Sequence, residues 1–301
     1  MKHPYYTMND LMHEHYGMKI RKICIDGGFT CPNRDGTCGT GGCTFCGERG
    51  AGEQLDPAKT IREQAEAVLS RAPADSRWIV YFQNFTNTYA PVPVLRERYD
   101  AALFDDRIKV LDIGTRPDCI TPEIADLLAE YAQRYEVWTE LGLQTASDRT
   151  AKAINRGCDL QCFEDAVGLL RSRGLPVIVH IILGLPHETL DDIKYTVSVL
   201  NRLRVDGVKI HSLFIMKNTQ LAKQYENGEF TPISMQTYID WAIWTLTHLR
   251  PETVIHRLTG NCLRDQLLAP DWITQRDLIL YTIDRRMYEN GWKQGCFCEE
   301  T

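Results

Sequence analysis

The sequence predicts an α/β protein built around a parallel sheet. Two observations carry this. Short runs rich in Val and Ile, bounded by Gly, Pro, Asp or Thr, recur along the chain up to about residue 213. Stretches with apolar residues at helical spacing separate them. Six strand–helix units in succession imply right-handed crossovers within one sheet. Such a sheet either closes into a barrel or stays open and doubly wound, and the pattern does not separate the two. Both arrangements bind ligands at the carboxyl ends of the strands, so the residues just past each strand define the expected site.

The expected strands are 20–25, 78–82, 110–113, 136–143, 176–183 and 207–213. The expected helices between them are 58–71, 93–104, 122–131, 159–173 and 189–204. The last carries Leu190, Ile193, Val197, Leu200 and Leu203 as an apolar stripe. Thr121 and Pro122 read as an N-cap followed by a first-turn proline, and Pro57 before Ala58 reads the same way. From Phe230 onward the rhythm breaks. Helices are expected at 234–249 and 273–289, with a short extended piece at 254–257. Residues 1–230 are therefore expected to form the βα core with its N-terminal segment. Residues 231–301 are expected as an extension packed on it. No linker separates the two, so a single domain overall is expected.

Composition bounds the function. Hydrophobic residues make up 44% and charged residues 25%, as in a soluble globular protein. The net charge of -6 provides no global basic field for nucleic acid, although a local basic patch on an acidic protein still serves an RNA. No apolar run approaches the ~20 residues of a membrane helix. Residues 1–16 are polar with three histidines and do not read as a secretory signal. Eleven cysteines, odd in number and unevenly spaced, fit a reduced compartment better than a disulfide framework. A cytoplasmic location without membrane attachment is expected.

The cysteines concentrate after the first strand, at Cys31, Cys38, Cys43 and Cys46. Five glycines from Gly36 to Gly47 let that loop fold tightly. Thiolates hold iron–sulfur clusters, and a cluster held by three leaves one iron open. All four thiolates would instead make a closed zinc site. On chemistry alone both readings stay open.

With these residues in view, the chain resembles the radical S-adenosylmethionine superfamily. That family carries three cysteines in a loop after the first strand, with an aromatic before the last, and Phe45 fills that place. The spacing Cys31-x11-Cys43-x2-Cys46 is similar to the branch that includes the Elongator catalytic subunit. The phrases DGGFTCPNRDGT and GGCTFC closely match the bacterial YhcC/YtqA group. Further matching stretches are YFQNFTNTYAP (81–91), GTRPD (114–118), ELGLQT (140–145), INRG (154–157), GLPHET (184–189), KIHSLFIMKNTQL (209–221) and IHRLTG (255–260). The resemblance thus covers nearly the whole chain. It implies a partial (βα)6 TIM-like barrel with a C-terminal helical extension. It also implies a [4Fe-4S] cluster on Cys31, Cys43 and Cys46, with S-adenosyl-L-methionine as the second cofactor. The chain departs from the group at Cys38, usually not cysteine there, and at Cys158, where His is typical. On the resemblance, Cys38 is an extra cysteine and not a ligand.

Candidate cofactor residues follow the strand ends. Glu140 and Gln144 lie two pleats apart in an otherwise apolar strand and face the same side. Glu140 reads either as a structural hydrogen bond inside the barrel or as a ligand, and the resemblance favours the ligand. It also implies that Gln144, in a G-x-Q pattern, neighbours the cofactor ribose, as in oxygen-independent coproporphyrinogen oxidase. Arg156, twelve residues later, takes the place of the arginine that clamps the methionyl carboxylate, a role suited to a guanidinium fork. His180 takes the position of a ribose-binding residue. Gln83, Asn84 and Thr86 correspond to the segment that meets the methionyl amine. Thr115, Arg116, His211, Lys217, His256 and Arg257 are polar or basic candidates for an RNA phosphate or base, and Tyr5, Tyr6 and Tyr16 for base stacking. Cys296 and Cys298 read as a frayed tail rather than a second metal site. Cys24, Cys119, Cys162 and Cys262 read as small buried hydrophobes.

The resemblance implies reductive cleavage of S-adenosylmethionine to a 5′-deoxyadenosyl radical, with an electron donor such as flavodoxin or ferredoxin. The YtqA side of the group and the Elongator branch point to a tRNA substrate. The expected step is wobble-uridine maturation from carboxymethylaminomethyl to aminomethyl. The chain's 301 residues leave no length for an acetyltransferase domain, so an acetyl-CoA route is not expected. Two alternatives stand beside this: a radical enzyme acting on a tetrapyrrole or other small molecule, and a non-catalytic zinc-bearing RNA-binding protein.

Overall fold

The computed structural model describes residues 3–50, 55–260 and 262–299. Residues 1–2 and 300–301, the outer ends of the two expected regions, lie outside them. The first half of the chain runs α1 (Met8–Tyr16), β1 (Arg21–Ile25), α2 (Ile61–Leu69), β2 (Trp78–Phe82), α3 (Val92–Ala102), β3 (Ile108–Thr115), α4 (Pro122–Tyr131) and β4 (Glu136–Gln144). It continues with α5 (Asp148–Ala153), α6 (Leu160–Arg171), β5 (Val177–Leu183), α7 (Leu190–Arg202), β6 (Gly207–Ser212) and β7 (Ile215–Met216). The last part holds α8 (Gln220–Glu226), α9 (Met235–His248), β8 (Val254–Arg257), β9 (Leu267–Ala269) and α10 (Arg276–Glu289).

Seven parallel strands form one sheet in the order β1-β2-β3-β4-β5-β6-β8, curled into a half-barrel. The six expected strands are all present, and the count is corrected to seven. The extended piece at 254–257 pairs with β6, Gly207 opposite Val254 and Val208 opposite Ile255. Four residues carry too little alternation to reveal a strand, and only the partner does so. The outward faces of the strands pack against the helices, with Ile25, Val80, Phe82, Leu111 and Tyr99 fully covered. Each such apolar side chain contributes roughly 1.5–3 kcal/mol by leaving water.

The inward faces are layered. At the amino ends of the strands, Ile20, Ile79, Val110, Trp138 and Ile178 meet Met12 of α1. Helix α1 therefore plugs the closed end. Its signal in the sequence is the Thr7–Asp10 capping box, in which each side chain bonds the other's backbone amide. Above the apolar layer stand Lys22, Tyr81, Asp112, Glu140, His180 and Lys209.

Two local expectations change. Pro57 does not open a helix: α2 begins at Ile61, capped by Thr60 through a second capping box with Glu63. The C-terminal tail is docked rather than frayed. The Phe297 amide donates to the Thr247 carbonyl at 2.9 Å, the Phe297 ring lies against His248, and Asn201 Nδ2 donates to Cys298 Sγ at 3.6 Å.

Candidate active site

At the carboxyl ends of the strands a cavity of about 250 Å³ opens into the half-barrel, and Cys31, Cys43 and Cys46 line it. The loop that carries them is closed by its own backbone. The Gly42 amide donates to the Asn33 carbonyl at 2.8 Å, and the Cys46 amide to the Cys43 carbonyl at 3.0 Å. Neighbouring segments stitch it down. Asn33 Nδ2 donates to the Asn155 carbonyl at 2.7 Å, and Asn155 Nδ2 returns bonds to the Thr40 and Gly42 carbonyls at 3.0 and 2.8 Å. Arg34 reaches the Gly47 and Glu48 carbonyls at 2.5 and 2.9 Å. All three cysteines are free. Burial, reinforced by the neighbouring Cys46, pushes the Cys43 thiol up to about 12, and burial also raises Cys46. Thiolates at this depth call for positive charge beside them, which metal cations supply.

Cys38 does not share the cavity. It is exposed, its thiol donates to Asp118 Oδ2 at 3.4 Å, and Arg116 Nη2 donates to its sulfur at 3.8 Å. Among the described residues, no three His, Cys, Asp or Glu side chains converge to hold a single ion.

Gln83, Thr86, Glu140, Gln144, Arg156 and His180 line the same cavity as the three thiols. Asn84 does not: it is fully buried, and its amide donates to Asp26 Oδ2 at 2.7 Å. Gln144 and Phe85 adopt left-handed backbone, at φ +67° and +57°, where the strands end. Such strain at side chains facing a cleft is typical of binding sites. The pairing with β5 shifts register between Gly142 and Gln144, at the end of the strand. Arg156 is buried, with Nη1 donating to the Cys158 carbonyl at 3.1 Å and Nη2 to the Gly142 carbonyl. Arg156 Nε, Thr86 Oγ1 and His211 Nε2 are buried without a partner in the protein. Unpaired buried polar atoms around one cavity fit a polar ligand.

The floor is an ionic network. Glu140 Oε2 bonds Lys209 and His180, the latter at 2.8 Å, and Oε1 takes Lys22 at 3.3 Å. Lys22 also pairs with Asp112 at 2.5 Å. Burial alone would raise Glu140, yet Lys209 and Lys22 hold it well below the usual carboxylate range. Burial lowers Lys209 to about 8 against the pull of Glu140. Burial also depresses His180 and His211, which favours the neutral form of both rings.

Two family models match the chain in sequence. That of the Radical SAM superfamily covers residues 34–200, and that of the Radical_SAM C-terminal domain covers residues 205–289. YtqA of Bacillus subtilis is 40% identical over 297 residues, spanning 97% of this chain and 92% of its own. YhcC of Escherichia coli K12 is 41% identical over 277 residues, spanning 92% and 90%. The chain belongs to the radical SAM superfamily. Among solved structures, the archaeal Methanocaldococcus infernus Elp3 superposes with a TM-score of 0.69 at 16% identity, covering 91% of this chain and 64% of that one. The C-terminal family model begins before β6, so it takes in the last strands of the sheet as well as the helices that follow.

In this radical SAM protein several groups around the site escaped sequence reasoning. Lys22, Tyr81 and Lys209 stand with Glu140 in the lumen, and their signal was the same period of two that singled out Glu140. Arg34 and Asn33 act inside the loop, where no period exists to read. Cys24 faces the charged lumen instead of packing as a hydrophobe, Cys119 is buried, and Cys162 and Cys262 are half-buried. Of the candidates for RNA, Thr115, Arg116 and His211 line the cavity. Lys217 donates to the Asp265 carbonyl at 2.7 Å, and Arg257 is exposed at the end of β8. Tyr5, Tyr6, Tyr16 and His256 lie at the closed end. There Tyr5 is buried, Tyr16 bonds Glu136 at 2.9 Å and His256 stands edge-on to Trp138. No helix among the described residues is long and apolar enough to cross a membrane.

Proposed function

We propose that Cys31, Cys43 and Cys46 hold a [4Fe-4S] cluster, that S-adenosyl-L-methionine binds beside it, and that the enzyme modifies the wobble uridine of a tRNA at the carboxymethylaminomethyl-to-aminomethyl stage. The observation that carries the first two parts is one cavity in which three free, half-buried cysteines face Arg156, Gln144, Thr86 and His180. When bound, the reduced cluster supplies the electron that cleaves the sulfonium and yields a 5′-deoxyadenosyl radical.

The chain's own residues then have distinct tasks. Arg156 presents its guanidinium toward a carboxylate, and its unpartnered Nε leaves a donor for it. Gln144 and His180 offer amide and imidazole groups suited to a ribose diol. The loop at Gln83–Thr86 offers backbone carbonyls and the Thr86 hydroxyl to an amine. Phe45 and Phe85 exclude water from the mouth. Thr115, Arg116 and His211 share the cavity and suit a polar substrate, while kinship to the Elongator branch supports a tRNA. The electron donor is expected to be flavodoxin- or ferredoxin-like, and the compartment cytoplasmic.

The test is anaerobic reconstitution with iron and sulfide, followed by dithionite and S-adenosylmethionine. Formation of 5′-deoxyadenosine with about four irons per chain supports the cofactor assignment. A colourless protein holding one zinc overturns it. Nucleoside analysis of tRNA from a deletion strain then tests the substrate: loss of the aminomethyl stage is expected, and unchanged wobble nucleosides would remove tRNA from the proposal.

A further inference from the structure

Four cysteines sit in one loop, yet three line the cavity. We infer that Asp118, gripped by Arg116, is a positioning residue that keeps Cys38 away from the cluster site, so that three thiolates and not four reach it. This rests on the three-cysteine assignment above.

The geometry is specific. Cys38 lies at the tip of a tight hairpin, in which Asp35 and Thr40 form an antiparallel bridge. The Gly36 amide donates to the Gly39 carbonyl at 3.1 Å, and the Cys38 and Gly39 amides both donate to the Pro32 carbonyl, at 3.0 and 3.3 Å. This tip meets the segment that follows β3. There the Cys38 thiol donates to Asp118 Oδ2 at 3.4 Å. Arg116 grips the same carboxylate with two bonds of 2.8 and 2.7 Å and also donates to the Cys38 sulfur at 3.8 Å. Its remaining donors reach the Arg156 carbonyl at 2.8 Å and the Gly157 carbonyl at 3.4 Å, anchoring the clamp to the wall of the cavity.

The chemistry explains why a clamp is needed. A thiol that donates its hydrogen to a carboxylate is in the protonated form, whereas metals take the thiolate. The hairpin itself is glycine-rich, with Gly36 and Gly41 at φ +95° and +79°, so its backbone resists rearrangement little. Released, Cys38 would offer a bound cluster a fourth soft ligand in competition with the cosubstrate. Asp118 holds the thiol through its side chain alone, and removing the carboxylate removes the acceptor.

The experiment compares wild type, C38A, D118A and D118A/C38A after anaerobic reconstitution. Iron and sulfide are counted, and the reduced proteins are studied by electron paramagnetic resonance with and without S-adenosylmethionine. Wild type and C38A are expected to change spectrum when it is added. D118A is expected to hold the same iron but to show no change, and the double variant to recover the response. Should D118A lose iron outright, D118N is read in its place by the same criteria. There the Arg116 fork claims the one remaining oxygen and an amide donor faces the thiol. A D118 variant that responds as wild type does, or a double variant that stays silent, overturns this inference alone. A wild-type protein that takes up no four-iron cluster overturns the assignment beneath it, and this inference with it.

Discussion

Glu140 on β4 and Lys209 on β6 form an ion pair across the intervening strand β5, inside the half-barrel and beneath the cysteine loop. Both are buried, and the same carboxylate takes His180 and Lys22. A buried pair is poor grounds for net stability, but removing one partner leaves the other charge without compensation.

Glu140→Gln is therefore expected to destabilise the fold by about 3 kcal/mol, measured by chemical denaturation at pH 7. The carboxylate's folded pKa lies below its unfolded value, because Lys209 and Lys22 outweigh the opposing effect of burial. Its stabilisation is thus fully present above the unfolded pKa and is lost as pH falls through the folded one. The gap between wild type and variant should hold from about pH 5 to 7 and narrow below that. A gap that widens in acid would contradict the assignment.

Loss of single thiols separates ligands from the bystander. Cys31→Ala, Cys43→Ala and Cys46→Ala are each expected to abolish cluster binding, seen as lost iron and lost visible absorbance. Cys38→Ala is expected to retain both. Iron loss in the Cys38 variant would count against the three-cysteine set.

Arg156→Lys keeps the charge but loses the fork. S-adenosylmethionine affinity is expected to fall by about tenfold to a hundredfold, the equivalent of one charge-assisted hydrogen bond, with iron content unchanged. Equilibrium dialysis on the reconstituted protein gives the answer, and unchanged affinity would relieve Arg156 of the role.

Gly157 stands at φ +70°, and a Cβ there would lie 2.6 Å from Asn33 Oδ1. Asn33 ties the cysteine loop to the segment around Asn155. Gly157→Ala is expected to cost about 1–3 kcal/mol through strain and overpacking. It should also release iron to a chelator faster than wild type. Equal release rates would mean that this stitch does not hold the loop.

Much of the frame was legible because local periodicity writes it. Strands β1 to β6 alternate or run apolar over five or more residues, and α4, α6 and α7 pair an N-cap with an apolar stripe. Short elements were not: α1, α5, α8, β7 and β9 had no expected counterpart, and β8 was expected only as an extended piece. Helix α1 is short and mostly polar, so its capping box was its clearest mark. Strand β8 is four residues long, and its identity lies in its partner.

The site divides the same way. Resemblance to the radical SAM superfamily pointed to Cys31, Cys43, Cys46, Gln144 and Arg156, and these line one cavity. Asn84 stood in an equally suggestive place, yet its side chain turns to Asp26. A turn residue's direction depends on which neighbour offers a better partner, and Asp26 is fifty-eight positions away.

By itself the sequence determined the α/β class, the order of units and the cysteine loop, since each is encoded within a few residues of chain. Tertiary structure alone decided which thiols share a cavity, that Asp118 and Arg116 hold Cys38 aside, and that two lysines neutralise Glu140. These are contacts between strands and loops far apart in the chain. They exist only once the sheet has curled and brought these side chains together.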